Sequence, residues 1–264
     1  MNNENIPAVS PAAVALDAVD FAWPDGQRVF AGFSLTVAPG EFVAILGPSG
    51  CGKTTLLNLL SGFEQPHRGS VRINGVAVRP EMPELGYVFQ SPHLFPWLSA
   101  LENVRFGLRM ADQLPQAAQY ARARDYLALV GLAGAEARLP HQLSGGMQQR
   151  VSLARTLALE PSLLLMDEPF AALDAITRNT MNEETLRLWS RLGQTTLFIT
   201  HDIDEAVFLA DRVVVLGVAP AGIARIAEID LPRPRSMRTT RSLPQFIACR
   251  NALMEQITLA VQAA

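Results

Sequence analysis

Five apolar residues, Phe42 to Leu46, run without a break into Gly47-Pro48-Ser49-Gly50-Cys51-Gly52-Lys53-Thr54-Thr55, and the apolar stretch TLLNLLSG follows. No other segment restricts the fold as much. A strand that is apolar at every position suits a parallel sheet covered on both faces. The glycines let several backbone N–H groups turn around one anion. The helix that starts there points its free N–H groups and positive dipole end at the same anion. The spacing G-x-x-x-x-G-K-[ST] adds an ammonium for β- and γ-phosphates and a hydroxyl for Mg²⁺. Lys53 is the only lysine among 22 basic residues, all the others being arginine. A compact ammonium serves here where a planar guanidinium fork is larger. The segment predicts a phosphate-binding loop between a central strand and a short helix ending at Gly62.

The rest of the chain agrees with an α/β domain. Its 264 residues are 49% hydrophobic and 18% charged, enough for a large core and against wholesale disorder. The formal charge of −3 lacks the basic excess of a duplex binder, so no nucleic-acid partner is expected. Cys51 and Cys249 are too few and too far apart for a disulfide scaffold. The longest uncharged apolar stretch, Val213 to Ala224, falls short of the roughly 20 residues that span a bilayer. The opening MNNENIPAVSPAA has no basic start and no apolar core of a signal peptide, so residues 1–13 read as a frayed tail and the chain as cytosolic.

Alternation predicts strands at 14–23, in FSLTVAPGEFVAILG, and at 86–90, with Asn74-Gly75 as a hairpin turn. From about 91 to 160 the periodicity is helical. Strands return at LLLMD (163–167), TTLFIT (195–200) and RVVVL (212–216), with helices between them. Strand–helix alternation around a helical insert argues a parallel sheet. Pro232-Arg233-Pro234 opens an Arg-bearing linker, and residues 243–261 form a terminal helix.

LLLMDEP places Asp167 and Glu168 at a strand end, where parallel sheets meet their ligands. Asp167 suits Mg²⁺, and Glu168 suits proton acceptance from an attacking water. A solvated acidic turn would look the same in isolation.

Leu143-Ser144-Gly145-Gly146-Met147-Gln148 resembles the LSGGQ-type signature of ATP-binding-cassette (ABC) ATPases, with Met147 where glutamine is commoner. Other landmarks follow in the family's order: Trp23 at the adenine-stacking position, Gln90 at the Q-loop, Asp174 at the D-loop and His201 at the switch histidine. The resemblance covers about residues 14–230. It implies a P-loop NTPase core with a parallel sheet, an antiparallel β subdomain and a helical insert at about 91–160. The implied division is one ATPase domain over 14–235, then a linker and helix over 236–264. It implies ATP and Mg²⁺ as ligands, with Thr54, Gln90 and Asp167 at the metal and Glu168, His201, Gln90 and Lys53 in catalysis. The signature would face ATP held by a second copy of the chain. Phe21 competes with Trp23 for the stacking role, being two residues away in a strand. His67, His93 and His141 match no landmark.

SPHLFPWLSALENV (91–104) and DEPFAALDAITR (167–178) look most like the ATPases of nitrate, sulfonate and taurine importers, although Ala171 stands where glycine is frequent. That implies a two-subunit transmembrane permease, an extracytoplasmic solute-binding protein acting through it, and a peripheral place on the cytoplasmic face of a bacterial inner membrane. Leu94, Phe95, Pro96 and Trp97 would then receive the permease, or else form a local apolar plug. Arg233, Arg235, Arg238 and Arg241 suit lipid headgroups or, more plainly, a solvated linker. A soluble ABC ATPase of a DNA or ribosome machine, a thiamine-precursor importer and a separate-subunit exporter are the alternatives.

Overall fold

Alternating burial sets the first elements. β1 (Val14–Ala22) and β2 (Arg28–Val37) form a hairpin, β3 (Phe42–Leu46) runs toward α1 (Lys53–Ser61), and β4 (Arg68–Ile73) turns back as β5 (Val76–Ala77). The structure, a computed structural model, describes residues 10, 13–220 and 222–262, so most of the expected tail over 1–13 lies outside the described residues. β2-β1-β4-β5 make an antiparallel sheet turning at Asn74-Gly75, as the hairpin signal predicts.

β6 (Leu85–Val88) leads into the helical insert of α2 (Ala100–Ala111), α3 (Gln116–Leu129) and α4 (Gly145–Leu157). The chain then alternates: β7 (Leu163–Asp167), α5 (Ala175–Leu192), β8 (Thr195–Ile199), α6 (Ile203–Leu209), β9 (Arg212–Leu216). β10 (Ile223–Glu228), α7 (Met237–Thr240) and α8 (Pro244–Gln262) close it. The second sheet has the order β10-β9-β3-β8-β7-β6, parallel throughout except for edge strand β10.

β3 sits between two parallel partners and is buried at all five positions. Phe42, Ala44 and Leu46 face a core shared with the helices, whereas Val43 and Ile45 face a second core. Leu56, Leu57, Leu59 and Leu60 of α1 fill that second core between the two sheets. Both cores thus grip the strand that carries the phosphate loop.

The C-terminal segment departs from the expected linker. Arg235 is buried, and its guanidinium donates to the carbonyls of Phe208 and Ala210 at 2.9 Å, Leu231 at 3.2 Å, Val207 at 3.4 Å and Ile229 at 3.5 Å. These include carbonyls at the end of α6, which have no partner within the helix. Desolvation pushes Arg235 down to about 10, still charged at neutral pH. Arg233 bonds to the Asp211 carboxylate at 2.6 Å and stacks its guanidinium 4.3 Å over Trp189. Arg241 pairs with Asp204. Arg235 is buried and Arg233 half-buried, so these two are not solvated linker residues, whereas Arg238 and Arg241 are exposed. Polar composition read as a linker because the acceptors are backbone carbonyls far away in the chain. The short strand β10 and helix α7 were not expected either.

Replacing Arg235 by alanine strips a charged donor from buried carbonyls. The expected loss of folding stability is about 3 kcal/mol, measured by urea unfolding at neutral pH.

Candidate nucleotide-binding and catalytic site

The C-terminal ends of β3, β7 and β8 converge on one edge of the sheet, and the loops leaving them build the site. After Leu46 the chain turns through the glycine loop into α1. Gly52 has φ +100, and a Cβ there would stand 2.6 Å from the Val29 side chain. Only glycine brings the backbone this close to the β subdomain while holding that conformation. Lys53 donates from Nζ to the Gly47 carbonyl at 2.9 Å and the Pro48 carbonyl at 3.0 Å, so its ammonium lies inside the loop. Cys51 is buried beneath it, and burial pushes its thiol up. It supports the loop by packing.

A cleft of roughly 370 Å³ opens beside this loop, lined by Trp23, Gln27, Ser49, Gly50, Lys53 and Thr54 among others. Thr55 and Glu168 also line it. Trp23 is half-buried on the cleft wall, whereas Phe21 is 4% exposed in the core and meets Trp23 edge-on at 5.1 Å. A turn closed by the Trp23 N–H on the Gln27 carbonyl (2.9 Å) lets the two neighbouring aromatics take different environments. A larger depression of roughly 530 Å³ lies at the opposite ends of the strands, around Glu41, Asp211 and Arg212. Two of its carboxylates, Glu41 and Asp211, pair with Arg212 and Arg233, and the phosphate loop does not line it.

Two carboxylates stand where β7 ends. Asp167 Oδ2 accepts from the Tyr87 hydroxyl at 3.5 Å, and the Thr54 side chain lies close enough to influence its carboxyl. Burial, then the neighbouring Glu168 charge, raises its pKa, while Tyr87, Lys53 and Thr54 oppose the rise. A carboxylate and a hydroxyl beside a phosphate loop are hard oxygen donors that suit Mg²⁺, which takes its remaining ligands from phosphate and water. No cluster of three or more His, Cys, Asp or Glu side chains fit for a metal occurs among the described residues.

Glu168 has φ +41, a left-handed conformation that a non-glycine residue rarely adopts. Its N–H donates to the Ile199 carbonyl at 3.0 Å, and its carbonyl accepts from Ala171 at 3.2 Å. These bonds hold the strained residue. Its carboxylate Oε2 lies 3.0 Å from His201 Nδ1. His201 follows β8 and its side chain is 61% exposed.

The signature segment and the D-loop meet elsewhere. Ser144 caps α4, accepting from the Met147 N–H at 3.3 Å, and both Ser144 and Gly145 are exposed at the helix start. Leu143 and Gly146 are buried, Met147 packs on the core, and Gln148 donates to the Pro140 and Leu143 carbonyls. A Cβ on Gly146 would approach Thr177 of α5 to 2.7 Å. Asp174 caps that neighbouring helix, taking the Ile176 and Thr177 N–H groups and the Thr177 hydroxyl, which hold its carboxyl below the usual range. Ser144, Gly145 and Asp174 thus share one exposed face that is separate from the cleft lining.

Gln90 is exposed and lies outside the cleft lining. The backbone on either side of it is tied to α4: Gln149 donates to Phe89, Thr156 to Tyr87, and Arg155 to Pro92 and His93. Asn103 pins the following loop through bonds to Phe95, Leu98 and Ser99. On that loop Leu94 packs inward and Phe95 lies against Phe106 at 4.4 Å. Pro96 is exposed and Trp97 is 73% exposed, so the segment is not a closed plug. Phe63 and Phe89 flank Tyr87 as further exposed aromatics. Their sequence positions carry no motif, so only the fold reveals them. His67 stacks on Phe21, His93 meets Phe89 edge-on and His141 lies in a short exposed turn, each away from the cleft.

Phosphate loop, lone lysine and paired acids at one edge of a parallel sheet define a P-loop nucleoside triphosphatase. Comparison with known proteins narrows the class. Residues 30–171 match the family model described as ABC transporter. The Taurine import ATP-binding protein of Chromobacterium violaceum is 47% identical over 93% of this chain and 96% of its own length. A Bicarbonate transport ATP-binding protein of Synechocystis is 46% identical over 92% and 88% respectively. Among solved structures, a part of the ABC transporter complex CbiONQ of Clostridium perfringens superposes with TM-score 0.74 at 27% identity, covering 81% of this chain and 88% of that one. An ATP-binding cassette solved as a dimer with ADP and Pi gives TM-score 0.71 at 30% identity, over 83% and 100%. The chain belongs to the ABC transporter family, as one of its ATP-hydrolysing subunits.

Trp23→Ala should weaken ATP binding about tenfold, the order expected for losing one base-stacking ring, with folding little changed. Phe21→Ala should instead lower stability by about 3 kcal/mol and spare affinity. Calorimetric nucleotide titration and urea unfolding of both variants check the assignment.

Proposed function

We propose that two copies of this chain bind two ATP molecules between the phosphate loop of one and the signature face of the other, and so power a small-solute importer. The observation that carries this reading is the split of the site. One copy lines its cleft with Lys53, Thr54 and Glu168, with Asp167 next to Glu168 in the chain and His201 3.0 Å from the Glu168 carboxylate, and presents Ser144, Gly145 and Asp174 on a separate exposed face. A second copy completes each half-site.

ATP would lay its adenine on Trp23 and its phosphates over Gly47, Pro48, Ser49, Gly50, Cys51 and Gly52. Thr54 and Asp167 would hold Mg²⁺, with Gln90 reaching it once the halves close. The ion supplies charge neutralisation on the phosphate oxygens. Glu168 would take a proton from the attacking water, and Lys53 and His201 would stabilise the transferring group. The 3.0 Å contact between His201 Nδ1 and Glu168 Oε2 would orient both side chains.

Exposed Trp97, Pro96 and their neighbours on the loop after Gln90 support a docking seat for a two-subunit membrane permease. No helix among the described residues is long and apolar enough to cross a membrane, so the crossing would fall to that partner. The chain would then sit at the cytoplasmic face of a bacterial inner membrane. Relatives named for taurine and bicarbonate support a small solute of the nitrate, sulfonate or taurine type as cargo, delivered by an extracytoplasmic binding protein.

Glu168→Gln should keep ATP binding, accumulate an ATP-bound dimer on gel filtration and lose at least a hundredfold in turnover. Wild-type turnover in that variant would remove Glu168 from its role. Affinity purification of the tagged chain from native membranes in mild detergent should bring a stoichiometric polytopic protein. A purely soluble partner would overturn the transporter assignment.

A further inference from the structure

Helix α5 holds the segment that carries His201, through residues that take no part in the chemistry proposed above. The Arg178 guanidinium, in the first turn of α5, donates from Nη2 to the Leu173 carbonyl at 2.8 Å and to the Ala171 carbonyl at 3.5 Å. Its Nη1 faces the Asp202 carboxylate at 3.8 Å. One cation thus touches the backbone just before Asp174 and the side chain just after His201.

Asp202 is itself fixed. Its Oδ1 caps α6 by accepting from the N–H groups of Asp204 (2.8 Å) and Glu205 (3.2 Å), and its own N–H donates to Thr200 Oγ1 at 3.0 Å. One turn further along α5, Asn182 donates to Glu205 Oε1 at 3.2 Å, while the Thr200 hydroxyl donates to Glu205 Oε2 at 2.6 Å. Glu205 is 6% exposed, and burial raises its carboxyl above the usual range. Thr200 is thus tied to α5 through Glu205 of α6, Asp202 faces Arg178 of α5, and the His201 ring between them is left exposed.

The Arg178–Asp202 pair is partly exposed and long, so it contributes little to folding. Its consequence is geometric. A rigid, planar guanidinium that is hydrogen-bonded to one backbone and faces a carboxylate as a charge contact links the position of the two segments. We propose that Arg178 is a positioning residue that ties the Ala171–Asp174 segment to the His201 segment, so that contact of Asp174 with the second copy sets where the His201 ring stands relative to Glu168. This rests on the proposed roles of His201, Glu168 and Asp174. It adds a route by which one nucleotide site responds to the docking of the other copy.

Arg178→Gln removes the charge and the fork. Asp202→Asn removes the partner charge and keeps a competent helix cap, so it covers the case in which Arg178→Gln folds poorly. The test measures ATP turnover against ATP concentration, nucleotide affinity and unfolding midpoint for both variants and their double, in the full-length chain, with His201→Ala as reference. Each single variant should lower kcat roughly tenfold to a hundredfold, as a small misplacement near reacting groups does. KM for ATP and the affinity should stay within about twofold, the Hill coefficient should fall toward one, and the double variant should be no worse than either single. Multiplying losses in the double, or losses that track the unfolding midpoint, would show a plain structural brace and overturn the link. Wild-type kcat in both single variants with a dead His201→Ala would also overturn it while leaving the role of His201 in place. If His201→Ala itself turns over normally, the underlying reading of the site fails first.

Discussion

Everything at this site depends on β3 being buried on both faces. Phe42, Ala44 and Leu46 are held by the helical core and Val43 and Ile45 by the core under α1, so the strand end has little freedom to shift. The phosphate loop begins one residue later. Its glycines give backbone freedom, and the rigid strand before it and the packed helix after it convert that freedom into one geometry. A ligand-binding loop built on two fixed supports loses little order when an anion arrives, which is the physical meaning of preorganisation.

The parallel arrangement extends the same logic to the acids. β7 and β8 pair with matched register, Asp167 opposite Ile199, so their following residues emerge side by side. Glu168 and His201 meet because of this pairing, although 33 residues separate them in the chain. The left-handed backbone at Glu168 is the local strain that accompanies this placement. Burial raises the Asp167 carboxyl, and the phosphate-loop lysine and threonine partly offset the rise. Charge balance at the strand ends therefore couples the loop to the acids.

The helical insert and the C-terminal segment serve as supports on either side. Helix α4 begins with the exposed Ser144 and Gly145 and, further along, ties down the backbone around Gln90 through Gln149, Arg155 and Thr156. One rigid helix thus joins the signature face to the proposed permease seat. On the other side, Arg233, Arg235 and Arg241 fasten the chain end to α6, the helix that follows His201. The functional segments lie at the ends of elements whose far ends are anchored by buried or half-buried polar contacts.

Local features of the chain determined much of this on their own. The all-apolar strand, the glycine spacing, the lone Lys53 and the strand ending in Asp167-Glu168 are readable because each acts through neighbours a few residues away. The cap residues Ser144 and Asp174 are readable for the same reason, their partners lying two or three residues on. Whether Trp23 or Phe21 faces the cleft was undetermined, because the strand ends at Ala22 and a turn begins at Trp23, so strand alternation does not carry across them. The arginine-bearing tail resembled a solvated linker, and Arg178, Asn182 and Glu205 looked like ordinary helix residues. Their partners are backbone carbonyls and side chains that only the packing of α5, α6 and the sheet brings near. Hydrophobic period and turn chemistry are written in short spans of sequence. The destination of a buried charge is set by which distant acceptors the folded chain places within hydrogen-bond reach, and that is decided in three dimensions.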